Sequence, residues 1–282
     1  MWFKPKPPVD LDEFEWLLAC FAWVHRTLGE ADRSIGYQPV LVRPDTPGLA
    51  EAEGAADMFA AIKSLAGLDA WECELRQGEP EPDLAGSGLV IEQRGKRALG
   101  TFSIQATEPL SRFDQFGQPI AGTGEGSSPL PVIYYAPELL HSPEALAATF
   151  AHELAHLVGH GLGDPPGGEE LHEHATDCLA VYMGFGIFLA NSARQFSQFQ
   201  DGLIQGWQSS TSGYLSERAL VTLLALFVRL FEQDSGQASA PLKPYLRADF
   251  AKALKYIDRR YPNIGKALDE LDLAEWGLSE QS

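Results

Sequence analysis

The sequence predicts an α+β fold, mainly helical, with a small and mostly antiparallel sheet placed before a helix that carries an HExxH pattern. Three observations predict it. Apolar residues recur at helical spacing in several long segments. Short, partly alternating stretches between turn formers gather within residues 71–135. No internal repeat or linker separates folding units, so one domain is expected over 1–282, with an N-terminal α/β portion at 1–135 and a helical portion at 136–282.

Composition narrows the function classes. A formal charge of −18, from 39 acidic against 21 basic residues, repels phosphate backbones and anionic membrane surfaces, so no nucleic-acid partner is expected. Solubility is the simpler meaning of that charge. Cys20, Cys73 and Cys178 are too scattered for a disulfide framework and read as reduced, mostly buried thiols. The opening MWFKPKPPVDLDEFEW places prolines and carboxylates where an export signal needs an apolar core. The longest apolar run, Ala219 to Val228, falls short of the ~20 residues that span a bilayer. A soluble, cytoplasmic protein without a transmembrane segment is the expectation.

Taken in order, Leu11 to Leu28 has apolar positions at Phe14, Leu17, Leu18, Phe21 and Val24 behind an acidic first turn, which predicts a packing helix. His25 on it reads as a partly exposed polar residue without a functional role. Pro39 to Val42 is a short strand candidate, and Leu49 to Leu68 a second helix. Trp71 to Leu75, Leu89 to Gln93 and Leu99 to Gln105 read as antiparallel strands joined by hairpins. Glu108 to Pro131 is rich in turn formers and reads as a long surface loop; its GTGEG lacks the GK[ST] ending of a phosphate-binding loop. Pro131 to Tyr135 is a strand, either a free edge able to pair with an extended peptide or a central strand with none.

Ser142 then offers an N-cap, Pro143 suits the first helical position, and Glu144 favours the helix dipole. The helix they open ends at Gly159, Gly161 and Gly163. A further helix is expected from Glu169 to about Asn191, then a loop or weak helix over 195–213. A nearly enveloped helix capped by Ser216 and Glu217 follows, then an amphipathic one from Tyr245 to Ile257, and an acidic tail.

The chemistry sits in ATFAHELAHLVGHG, residues 148–161. His152 and His156 lie four apart, so both imidazoles share one helix face and can reach one metal ion, with Glu153 beside it. Zinc in a hydrolase takes three protein ligands and keeps one position for water. Glu173 is the candidate for the third, because it forms ExxxD with Asp177 on the next helix, leaving Asp177 to accept the other ring N–H of a histidine ligand. Asp164 is the weaker candidate; in the spacing HExxHxxGxxH the last ligand would fall on Leu162. His160 continues the spacing, but three histidines on one straight helix spread over about 12 Å at ~1.5 Å per residue, too far for one ion. His172, His174, Tyr182 and Tyr214 are candidates for an oxyanion donor, with packing the simpler role for both tyrosines; His141 reads as a turn residue.

HELAH followed by EHATD resembles the gluzincin metallopeptidases, particularly the branch of HtpX-like and prenyl-protein-processing proteases, over residues 148–190. The resemblance implies a zincin-like fold and a soluble zinc metallopeptidase, an endopeptidase acting on protein or peptide substrates. It implies His152, His156 and Glu173 as Zn2+ ligands, Glu153 as general base, and Asp177 as the carboxylate that orients His152. The integral-membrane members of that branch have hydrophobic spans that this sequence lacks. The rival expectation is a zinc-stabilised, non-catalytic binding or regulatory protein; retention of Glu153 weighs against it, since a structural zinc site needs no base.

Overall fold

The computed structural model describes residues 6–35, 39–78, 89–90, 100–104, 131–199 and 215–278. Helix α1 (Leu11–Ile35) starts where the Asp10 side chain accepts the Glu13 N–H at 2.8 Å, and it runs past the expected end at Leu28. Its apolar stripe of Phe14, Leu17, Leu18, Phe21 and Val24 is buried. His25, expected partly exposed, is buried as well, with Nδ1 3.1 Å from the Tyr182 hydroxyl. Helix α2 (Ala55–Leu65) is shorter than predicted, because Gly54 stands before it at φ 118, a conformation that other residues rarely adopt.

The sheet is formed by β1 (Glu74–Gln77), β2 (Leu89–Val90), β3 (Gly100–Ile104) and β4 (Val132–Tyr135), in the order β1-β4-β3-β2. The expected mostly antiparallel, hairpin-built sheet is corrected at β1, which pairs in parallel with β4 and not in a hairpin with its neighbour in sequence. β1 runs parallel to β4, with Glu74 opposite Val132 and Gln77 opposite Tyr135, while β4 with β3 and β3 with β2 are antiparallel. A parallel pair needs a long crossover, and the chain between β1 and β4 is long enough to supply it. β4 is therefore central and has no free edge for a peptide, which decides between the two readings of that strand. All four of its residues are buried.

Helix α3 (Pro143–Gly159) follows a 3-10 turn at Pro137–His141. Pro143 begins it as expected, but Ser142 makes no side-chain cap bond. Every residue from Ala145 to Val158 is buried, so the polar Thr149, His152, Glu153 and His156 are enclosed along with the apolar Leu146, Phe150, Leu154, Leu157 and Val158. It packs against β3, β4 and α2 and against the helices that follow it.

The predicted helix from Glu169 to Asn191 is broken. A 3-10 turn (Glu169–Leu171) leads into α4 (His172–Ala180), a π turn (Val181–Phe185) and α5 (Gly186–Phe199). The break is Gly184, at φ 104, where a Cβ would overlap the Val40 carbonyl oxygen. Val42 donates its N–H to the Gly184 carbonyl at 3.1 Å, so the segment read as a strand at Pro39–Val42 is instead an extended strap seated in the helix break.

Helix α6 (Glu217–Leu230) is capped by Ser216, which accepts the Ala219 N–H at 3.1 Å. Its residues Ala219–Val228 are buried as predicted. Short α7 (Ser235–Ser239), long α8 (Pro244–Arg260) and α9 (Ile264–Glu270) complete the chain, and α9 makes the expected tail part of the fold. The Arg26 guanidinium donates to the Leu268 and Leu271 carbonyls and ties α9 to α1. One cluster of buried side chains runs through α1, α2, β4 and the helices from α3 to α9. No helix among the described residues is long and apolar enough to cross a membrane. The expected loop at Glu108–Pro131, apart from Pro131, and the segment 200–213 lie outside the described residues.

Candidate metal centre

Two helices and one loop build the site. Helix α3 carries His152, Glu153 and His156, and α4 carries Glu173 and Asp177. The loop between them is held from both ends of the chain. Trp16 on α1 donates its indole N–H to the Pro166 carbonyl at 2.9 Å, and Gly167 donates to the Trp276 carbonyl at 3.0 Å. Gly167 and Gly168, at φ 87 and 96, make the turn that sends α4 back along α3.

That placement brings three donors together. His152 Nε2 and His156 Nε2 are 3.1 Å apart, and Glu173 Oε2 lies 3.4 Å from the first and 3.5 Å from the second. Ligands bound to zinc at about 2.0–2.1 Å in a tetrahedral arrangement stand about 3.3 Å from one another, so the triangle has the size the ion requires. It is the group of metal-ligating side chains found among the described residues. Both histidines are almost fully buried, while the Glu173 side chain keeps 27 % of its exposure.

Asp177 stands behind His152. Its Oδ1 is 2.9 Å from His152 Nδ1, and its Oδ2 accepts the Leu215 N–H at 2.7 Å. An ionised carboxylate only accepts, so Nδ1 of His152 carries a proton toward Asp177 and Nε2 is the nitrogen directed at the other two donors. Sequence reasoning missed Thr176, whose hydroxyl oxygen lies 3.3 Å from His156 Nδ1 and donates to the His172 carbonyl at 2.9 Å. Its spacing from Glu173, one turn along α4, was the available signal.

The electrostatics favour a cation. Burial lowers the basicity of His152, but its hydrogen bonds to Asp177 and Glu173 outweigh this and raise it to about 10, a proton being the cation these carboxylates hold. Burial alone would raise the Glu173 carboxyl, yet its bonds with His152 and His156 hold it well below the usual range. Glu153 differs: burial raises its carboxyl, and the neighbouring histidines offset this only in part. Its Oε1 is buried and has no hydrogen-bond partner among the described residues.

No family model, curated protein or solved structure matches this chain. The resemblance to gluzincins therefore rests on the HELAH and EHATD motifs alone. The remaining candidates fall outside the donor group. Asp164 is 70 % exposed and pairs with His172 Nε2 at 3.3 Å. His160 caps the end of α3, donating its N–H to the His156 carbonyl. His174 is buried with its ring edge-on to Trp16, and Tyr182 is buried against His25, so both have packing roles. His141 closes the 3-10 turn before α3. Tyr214 lies outside the described residues.

Proposed function

We propose that this chain is a zinc metallopeptidase that hydrolyses peptide bonds with Glu153 as its general base. The observation that carries the reading is the Glu153 carboxylate, buried, adjoining His152, with one oxygen unpartnered among the described residues. A buried unpaired carboxylate oxygen is costly, and a working base is a reason to keep one. Three protein donors also suit a catalytic zinc site, whereas structural sites close with four.

His152, His156 and Glu173 would hold the ion. Zinc, when bound, polarises a carbonyl oxygen and brings the pKa of a bound water to about 7. Glu153 takes the proton of the attacking water at Oε1 and returns it to the leaving amine. Its raised carboxyl pKa lets it hold that proton between the two transfers. Asp177 keeps His152 in register, and the buried walls of α3 and α4 exclude competing solvent from the base. The likeness of HELAH and EHATD to gluzincins agrees with these roles, including an endopeptidase acting on protein or peptide substrates.

The test combines metal analysis with cleavage of a peptide library by wild type and Glu153→Gln. Stoichiometric zinc in both, with activity falling by about 10²–10⁴-fold in the variant, is expected. Zinc without glutamate-dependent cleavage would instead assign the non-catalytic, zinc-stabilised role.

A further inference from the structure

We propose that Thr176 is a positioning residue for His156, its hydroxyl fixing the ring proton on Nδ1 so that Nε2 is left to the metal. The inference rests on the metal-binding reading of the same site. His156 is almost fully buried, so its ring N–H must find a partner inside the protein. Thr176 Oγ1 is that partner, at 3.3 Å, and Thr176 is itself buried.

The direction of the bond follows from a second one. A hydroxyl has one proton to give, and Thr176 gives it to the His172 carbonyl at 2.9 Å, one turn back on α4. Threonines in helices often bond back in this way, and that habit alone would imply no function. Here the back-bond turns the oxygen's lone pairs toward the neighbouring helix, where His156 Nδ1 is the group they meet. With its hydroxyl proton committed, Thr176 can only accept, so His156 must carry its proton on Nδ1. The lone pair on Nε2 then faces His152 Nε2 and Glu173 Oε2, at 3.1 and 3.5 Å.

Helix α4 thereby supplies the third ligand and both partners that orient the histidines: Glu173, Thr176 and Asp177, within a turn and a half. The partners differ in charge. Asp177 enriches His152 with a carboxylate, whereas Thr176 fixes the tautomer of His156 without adding charge. With His156 Nδ1 holding its own proton, its Nε2 needs no change of tautomer to take a cation.

The test compares zinc affinity, by competition with a chromophoric chelator, for the full-length wild type, Thr176→Val and Thr176→Ser. Valine keeps the shape and loses the acceptor; serine keeps the acceptor and loses a methyl group. Expected is a loss of about 10 to 100-fold for the valine variant, with serine close to wild type. A packing role alone would leave valine the milder change. In the zinc-loaded wild type, 15N NMR should show the His156 proton on Nδ1 and exchanging slowly, which decides the matter if the valine variant does not fold. Wild-type affinity in Thr176→Val, a serine variant weaker than valine, or the His156 proton on Nε2 would overturn the proposal. A wild type that binds no zinc would overturn the underlying metal reading as well.

Discussion

Replacing Glu173 by alanine tests the donor set at its most exposed member. Its Oε2 completes the triangle, 3.4 and 3.5 Å from the two histidine nitrogens, and no other carboxylate joins the group among the described residues. Asp164, the nearest rival in sequence, is engaged with His172 at 3.3 Å. Orienting residues around a metal are worth about 10 to 100-fold in affinity, so loss of a ligand should exceed about 100-fold. That corresponds to more than about 2.7 kcal/mol. Asp164→Ala, which touches only an exposed pair, should change zinc affinity by less than about 3-fold, given how little surface ion pairs contribute. The assay is chelator competition with elemental analysis, and circular dichroism checks that each variant folds. A larger loss from Asp164→Ala than from Glu173→Ala would refute the reasoning.

Three further outcomes follow from the geometry. Asp177→Ala should weaken zinc by about 10 to 100-fold. It should also cost about 1–3 kcal/mol in the metal-free protein, measured by urea denaturation, because the buried Leu215 N–H loses its acceptor. Gly184→Ala should lower stability by more than about 2 kcal/mol, since positive φ is strained for alanine and the new Cβ meets the Val40 carbonyl; an unchanged melting temperature would contradict the strap described at Pro39–Val42. The metal-free protein should lose stability as pH rises. His152 has its folded value raised to about 10 from 6.5, so its contribution is whole below 6.5 and is lost as pH climbs toward 10. Glu153, raised by burial, acts in the same direction, because folding opposes its ionisation. Melting of the metal-free protein between pH 6.5 and 10 checks the sign.

The site was more legible than the frame around it, for a physical reason. HExxH and ExxxD are patterns within single helices, and residues four apart share a face whatever the rest of the chain does. The start of α3 at Pro143 and the Ser216 cap of α6 are likewise local, and the structure places both where the sequence put them. Features set by distant partners were hidden. The apolar run through Leu179–Ala190 gave no sign of a break, because the break at Gly184 is demanded by Val40, far away in the chain. Alternation identified strand-like stretches near β1 but could not say that β1 would lie parallel to β4. The acidic tail concealed α9, whose Ile264 and Leu268 are buried while Arg26 holds its backbone. His25 looked polar and exposed because Tyr182, its partner, lies on another helical segment. Thr176 was hidden for a similar reason, since its meeting with His156 requires α4 to lie against α3.

The proposed enzyme stands or falls on whether the buried Glu153 carboxylate beside the three donors works as a base. The most direct measurement is peptide cleavage by zinc-loaded wild type and zinc-loaded Glu153→Gln, with zinc content determined on the same samples. Expected are equal zinc in the two and a fall in cleavage of about 10²–10⁴-fold in the variant. Equal zinc with equal cleavage, or with none in either, would contradict it.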